Sequence, residues 1–339
     1  MTKHRYNSAI QRVKGFLELA SALYDTSLSH QTKRAAEGVL QTDSRLGYYL
    51  ELSLLPRGKQ ENCISLSFAA DSFRELELLA EGKVSVAWIN PSASVTLAYR
   101  GKGPLRSPIP LRTIAVFPSW DVMGFAIHES TGITSLAQIK KQRFPLRLST
   151  GPASKRDLIE SPVTYMVSAA IKAAGFTFAD IVKWGGTIQA VSRPSHPDRR
   201  AAIEDGKVNA VFDEGIKSWG QSALDHGFRY LPIDGPVLKR LKIMGYRPAI
   251  LSKSHFKGMT ANLPTIDFSG WPMVVRPDMP TEVAYALCEG IEARRREIPT
   301  DNFKPLEVAQ LCANDEEAPY DVPLHPGAKR FYRERGYLK

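Results

Sequence analysis

The stretch Arg143–Gly175, RFPLRLSTGPASKRDLIESPVTYMVSAAIKAAG, decides how the chain is read. Pro145 to Ser149 (PLRLS) alternates with the period of a strand. Thr150, Gly151 and Pro152 end that run with turn chemistry. Ser161 suits a helix N-cap, and Pro162 suits the first helical position, where a missing N–H costs nothing. Val163, Met166, Val167, Ala170, Ile171 and Ala174 then recur at helical spacing until Gly175 stops them. Strand, polar loop and capped helix make a βα unit. A helix N-terminus carrying Ser161 and Thr164 is also a physical site for an anion, because N–H groups and the helix dipole point at it. An ordinary capped βα unit explains the same residues without a ligand.

Similar units extend in both directions. Toward the N-terminus, residues 8–24 are predicted as an amphipathic helix and Gln31 to Leu40 as a second, short one. Leu46 to Leu55 and Cys63 to Phe68 read as strands, and Ala69 to Ser72 leads into a helix that closes at Gly82. Val84 to Ile89 is a strand ending at the polar Asn90. Leu111 to Phe117 is the next, with Val122 to His128 as its expected partner. Toward the C-terminus, Asp180 to Trp184, Val208 to Phe212, Tyr230 to Ile233 and Trp271 to Val275 read as strands. Helices are predicted over Ile216 to His226, Thr281 to Ile298 and the basic end after PLHPGA. Strands alternating with helices imply α/β layers with largely parallel sheets.

Composition narrows the function. A chain of 339 residues with 43% apolar residues can bury a real core and supports two domains. No apolar run is long enough to span a membrane, so direct membrane insertion is not expected. The N-terminus lacks a clean signal-peptide h-region, since Lys14 and Glu18 interrupt it. The expected location is therefore cytoplasmic as written, or periplasmic if the natural start lies elsewhere. Cys63, Cys288 and Cys312 are odd in number and widely spaced, and the seven histidines form no HxH or HxxxH pair. No metal and no cofactor is expected. The net charge is +10, yet the basic residues are dispersed and carry no aromatic stacking motif. That disfavours nucleic acid and suits an anionic small ligand or a solvated basic surface.

The ordered set EGKVSVAWINPSA, LRTIAVFPSWDVMGFAIHESTGITSLAQIK, LSTGPASKRD with SPVTYMVSAAIKAAGF, DGKVNAVFDEG, RYLPID and VPLHPGAKRFYRERG resembles the TAXI family. These are the solute receptors of TRAP transporters, a branch of the type II periplasmic binding proteins. The resemblance covers roughly residues 63–339. It implies two α/β lobes, joined by two or three crossing strands, with a small organic anion in a central cleft and TRAP-type membrane subunits as partners. The expected division puts 61–117 and 235–339 in lobe 1 and 118–234 in lobe 2, with residues 1–60 completing lobe 1. By position, Ser67, Asp71, Ser72, Asn90 and Trp120 fall on the ligand side, as do Ser161 and Thr164 of the anion-binding helix. Ala70, Asp71 and Pro162 stand where that family carries glycine. The family's Gly-rich first strand and its signal peptide have no counterpart here.

Other residues are read from chemistry. His196 lies in the loop RPSHPDRR among Arg193, Asp198, Arg199 and Arg200, where the group could bind a carboxylate or phosphate with His196 as a proton shuttle. A solvated loop is the plain alternative. Asp213 and Glu214 at a strand's carboxyl end could act as an acid/base or cation-binding pair, or cap the helix that starts at Ile216. Trp219 is one of five tryptophans near strand ends, where an aromatic could line a cleft or simply pack. His325 in PLHPGA reads as structural. Two functions follow: a binding protein closing on a small carboxylate, or a cytoplasmic enzyme on the same fold. The enzyme would be decarboxylase-like, resembling more distantly the dihydroxyphthalate decarboxylases and using His196, Asp213 and Glu214.

Overall fold

A computed structural model describes residues 34–43, 47–56, 64–70, 73–152, 161–233, 235–293, 295–296, 298 and 305–339, with backbone alone for the first three segments. The predicted helix over 8–24 lies outside them. Two compact units divide the chain. The first comprises residues 1–101, 107–120 and 269–339, and the second 102–106 and 121–268. The expected two-lobe α/β class holds. The return to the first unit comes at 268/269 rather than at 234/235, because residues 235–268 are tied to the second: Ile266 O accepts from Met123 N (3.0 Å) and Thr265 Oγ1 donates to Met123 O (2.6 Å).

The first unit is built on a six-stranded sheet. In chain order its strands are β1 (Arg34–Asp43), β2 (Gly47–Pro56), β3 (Ile64–Ala70), β4 (Val86–Trp88), β5 (Arg112–Phe117) and the late-arriving β13 (Trp271–Val275). Their spatial order is β1-β2-β3-β4-β13-β5. Helices α1 (Phe73–Ala80) and α2 (Ser92–Tyr99) follow β3 and β4, and α9 (Thr281–Ala293) and α10 (Pro326–Glu334) close the chain. The core joins Ile114, Met273, Leu287, Ile291, Phe331 and Tyr332. Tyr332 Oη donates to Ile114 O at 3.0 Å, so the terminal helix is pinned to β5. His325 is buried as its N-cap, with Nδ1 accepting from Gly327 N, and this supports the structural reading.

The second unit carries β6 (Gly124–His128), β7 (Arg147–Thr150), β8 (Thr187–Ala190), β9 (Ala210–Asp213) and β10 (Phe228–Tyr230), in the order β10-β6-β9-β7-β8. Helices α3 (Leu136–Gln142), α4 (Pro162–Ala173), α5 (Phe178–Lys183), α6 (Pro197–Glu204), α7 (Ile216–Asp225) and α8 (Gly235–Met244) surround it, and β11 (Pro248–Leu251) pairs with β12 (Leu263–Ile266). β7, β8 and β9 run parallel, and β6 runs against β9. Phe125 and Phe212 stack across that pair with ring centroids 5.1 Å apart.

Four expectations are corrected. The sheets are mixed, not largely parallel: β1, β2 and β3 follow one another antiparallel, β13 runs against both β4 and β5, and β6 runs against both β9 and β10. Residues 34–40 are strand rather than helix, since β1 pairs antiparallel with β2 along its whole length and that ladder outweighs a weak local preference. Val122–His128 does not pair with β5; β6 joins β9 and β10 in the other unit. Asp180–Trp184 is helical, because Thr177 and Asp180 form a capping box. The strand of that region is β8, which the periodicity missed, as it missed α2, α8, β11 and β12.

Candidate functional site

In the second unit, the carboxyl ends of β7 and β9 gather polar side chains, as expected of open α/β sheets. Asp213 is the last residue of β9. It is 0% exposed, and so is Arg199 of α6, whose Nη2 donates to Asp213 Oδ2. Arg199 Nε also donates to Ser149 Oγ of β7 (3.1 Å) and Nη1 to Pro194 O (3.2 Å). The other Asp213 oxygen accepts from Glu214 N at 2.8 Å. Next to this pair stands a second one. Asp121, the first residue of the second unit on this pass, accepts from Gly215 N (2.7 Å) and Val122 N (2.8 Å) and is hydrogen-bonded to the Glu214 carboxyl.

The protonation follows from burial. Glu214 is pushed well above the usual carboxylate range by burial and by the charges of Asp121 and Asp213. Burial likewise pushes Asp121 up to about 6, against the pull of its hydrogen bonds. Burial raises Asp213 as well, while the Arg199 guanidinium pulls it down. A guanidinium keeps its proton, so Asp213 stays ionised and the shared proton rests on the Asp121–Glu214 pair, with Glu214 as donor. The arrangement can hold and release one proton. It also binds the turn that opens α7 to Asp121. Trp219 belongs to the same knot: its Nε1 donates to Glu214 O (2.8 Å), and its ring packs on Tyr230 at 5.9 Å.

Ser161 and Thr164 are brought close to this group but are occupied. Ser161 Oγ caps α4, accepting from Thr164 N (3.2 Å) and donating to Thr164 Oγ1 (3.0 Å), and Thr164 Oγ1 donates to Pro152 O. Both are buried. Gly151 is required beside them, because a Cβ there would lie 2.5 Å from Val163 Cγ1. His196 is the N-cap of α6, with Nδ1 accepting from Asp198 N (3.2 Å). Among the described residues no hydrogen bond or ion pair joins His196 to Asp213 or Glu214. Arg193 is exposed in the preceding turn. Trp219, at 3% exposed, packs inside rather than lining an opening.

The first unit holds the other expected residues. Asn90, half-buried at the end of β4, donates from Nδ2 to Gly270 O (3.0 Å). Trp120 is the last residue before the second unit. Ser67 lies in β3 opposite Glu51. The side chain of Ser67 and all of Asp71 and Ser72 lie outside the described residues. Beside Asn90, α2 begins without a side-chain cap. Ser92 at its start is 4% exposed, and its hydroxyl has no partner among the described residues. Gly270, in the left-handed region at φ +79, leaves room for that hydroxyl, since a Cβ would come within 2.5 Å of it.

Sequence reasoning placed Arg199 with His196 in the anion-binding loop and missed its burial against Asp213, and it missed Ser149 and Ser92. For Arg199 a signal existed: it lies three and four positions before Ala202 and Ile203, the buried residues of α6, whereas Arg200 points elsewhere and pairs with Glu204. Neither serine had a comparable mark. Among the described residues no group of His, Cys, Asp and Glu could hold a metal ion, and no helix is long and apolar enough to cross a membrane.

Three solved structures show the range of likeness. The glycine betaine/L-proline-binding protein ProX of Borrelia burgdorferi is 14% identical, with 59% of this chain and 60% of that chain covered and a TM-score of 0.32. A periplasmic binding protein from Brucella ovis with glutathione bound is 13% identical, covering 64% and 50%, with a TM-score of 0.29. PhnD1 of Prochlorococcus marinus in complex with methylphosphonate is 10% identical, covering 79% and 84%, with a TM-score of 0.38. The chain thus spans between half and three-fifths of the length of the first two. The family model described as NMT1-like matches residues 55–336, which take in the whole of the second unit and the first unit apart from residues 1–54 and 337–339, and the chain belongs to the NMT1-like family.

Proposed function

We propose that the protein is a solute-binding protein for a small organic anion, a carboxylate, and that it works in the manner of a TAXI receptor with TRAP-type membrane subunits. The observation that carries the reading is the start of α2. An eight-residue helix begins there with no side-chain cap and no acidic residue in its first turn, beside a buried serine hydroxyl without a described partner. Ser92 N donates to Ser269 O (3.1 Å) and Ser94 N to Pro91 O (3.0 Å), and an anion would engage the remaining first-turn N–H and the Ser92 hydroxyl in place of the missing side-chain cap. By contrast α4, the helix first expected to bind, is already capped by its own Ser161. The net charge of +10 favours an anionic ligand over a cationic one. The reading carries with it an extracytoplasmic placement in place of the cytoplasmic one.

A thermal-shift screen against small carboxylates tests it. A specific ligand at 100 times its Kd stabilises the native state by about 2.7 kcal/mol. Ser92→Ala removes an unpartnered hydroxyl, so the unliganded protein should melt no lower than the wild type, while the shift with the carboxylate shrinks. A screen without a stabilising carboxylate, or a shift that survives Ser92→Ala undiminished, overturns the reading.

A further inference from the structure

We propose that the outer face of α8 is a docking surface for an acidic segment of another protein, which seats an apolar side chain beside Gly235 and its carboxylates on Lys239 and Lys242. The inner face of α8 is settled: Val237 and Leu241 are buried, and Arg240 Nη1 donates to Ala173 O at the end of α4. The outer face is not. Gly235, Leu238, Lys239, Lys242 and Ile243 line a shallow, open depression of about 480 Å³. Their spacing is that of one stripe along a helix. Ile243 is 72% exposed, the most exposed large apolar side chain among the described residues. Space is open above Gly235, with no atom within 4 Å of where a Cβ would stand.

Charge selects the occupant. The helix GPVLKRLKIM contains no acidic residue, and neither Lys239 nor Lys242 has an ion-pair partner among the described residues. An ordinary solvated helix face would interleave carboxylates at i, i+4. Two cations flanking a concave apolar seat complement a segment in which carboxylates flank an apolar side chain. A lipid surface fits less well, because α8 is ten residues long and Ile243 and Pro236 are its only exposed apolar side chains, too little apolar area to sink into a headgroup layer.

The test uses the full chain and a short labelled peptide of alternating Glu and Leu, with a Lys and Leu peptide and phosphatidylglycerol vesicles as the other arms. The Glu and Leu peptide should bind, more weakly as salt rises, and should perturb amide signals of α8. Ile243→Ser and Lys239→Glu should each weaken binding by about tenfold while the melting temperature holds. Equal binding by both variants, equal binding of the Lys and Leu peptide, or vesicle binding without peptide binding overturns the proposal.

Discussion

Arg199→Met should show how the second unit holds its charges. The substitution keeps most of the volume and removes the cation, leaving Asp213 at 0% exposure with one donor, Glu214 N at 2.8 Å. An uncompensated buried charge costs about 3–5 kcal/mol. Ser149 Oγ and Pro194 O also lose their donor. Against a typical stability of about 5–15 kcal/mol, that is a large fraction of the total. Asp213→Asn should cost a similar amount, about 3–5 kcal/mol, because it strands the buried Arg199 guanidinium, which keeps only Ser149, Pro194 and a neutral oxygen. The double variant should cost about 2 kcal/mol less than the sum of the singles, since each single strands the other's partner. Two units can unfold separately, so urea unfolding is best read from hydrogen exchange of the β7 and β9 amides. A pH arm has a definite sign. Without Arg199, the folded pKa of Asp213 rises further above its unfolded value, so its contribution is present in acid and lost as pH rises through the folded value. The deficit of Arg199→Met should therefore grow toward alkaline pH. A cost within about 1 kcal/mol of zero, or simple additivity in the double variant, would refute the reasoning.

Three further outcomes are expected. Asp121 and Glu214 both have raised folded pKa values, so each stabilises the fold below the ordinary carboxylate range; the Asp121 share is lost as pH rises through about 6 and the Glu214 share only as pH climbs well above the ordinary carboxylate range. Melting temperatures should fall around pH 6 in the wild type and stay flatter there in Asp121→Asn, and the opposite ordering would count against the shared proton. Gly151→Ala should destabilise by about 1–3 kcal/mol through its clash with Val163, and Val163→Ala in the same chain should recover part of the loss. Thr164→Val deletes the hydroxyl that holds Pro152 O and should lower stability by about 1 kcal/mol in denaturant titration; an unchanged midpoint would mean that the clasp is dispensable.

The legible features were local ones. The alternation before Thr150, the Ser161–Pro162 start of α4 and the Gly175 stop each use residues within a turn of one another, and each element formed where expected. The capping box of Thr177 and Asp180 is equally local, and it makes a helix of the stretch that reads as a strand from Asp180 to Trp184. The α/β class followed from the order of such pieces, and the ordered motifs carried the resemblance to solute receptors.

What the sequence determined, then, was which segments are helix or strand wherever side-chain period and caps speak within a few residues, and the α/β class that their alternation implies. Tertiary structure alone decided the rest. It chose β9 and β10, not β5, as partners of β6. It buried Arg199 and left Arg193 exposed in the same basic loop, and it joined Asp121 to a turn 94 residues away. It satisfied the Ser161 end of α4 and left the Ser92 end of α2 without a side-chain cap. The reason is physical: strand pairing and desolvation depend on groups remote in the chain, and a side chain's charge state and partners exist only once burial has removed water from around it.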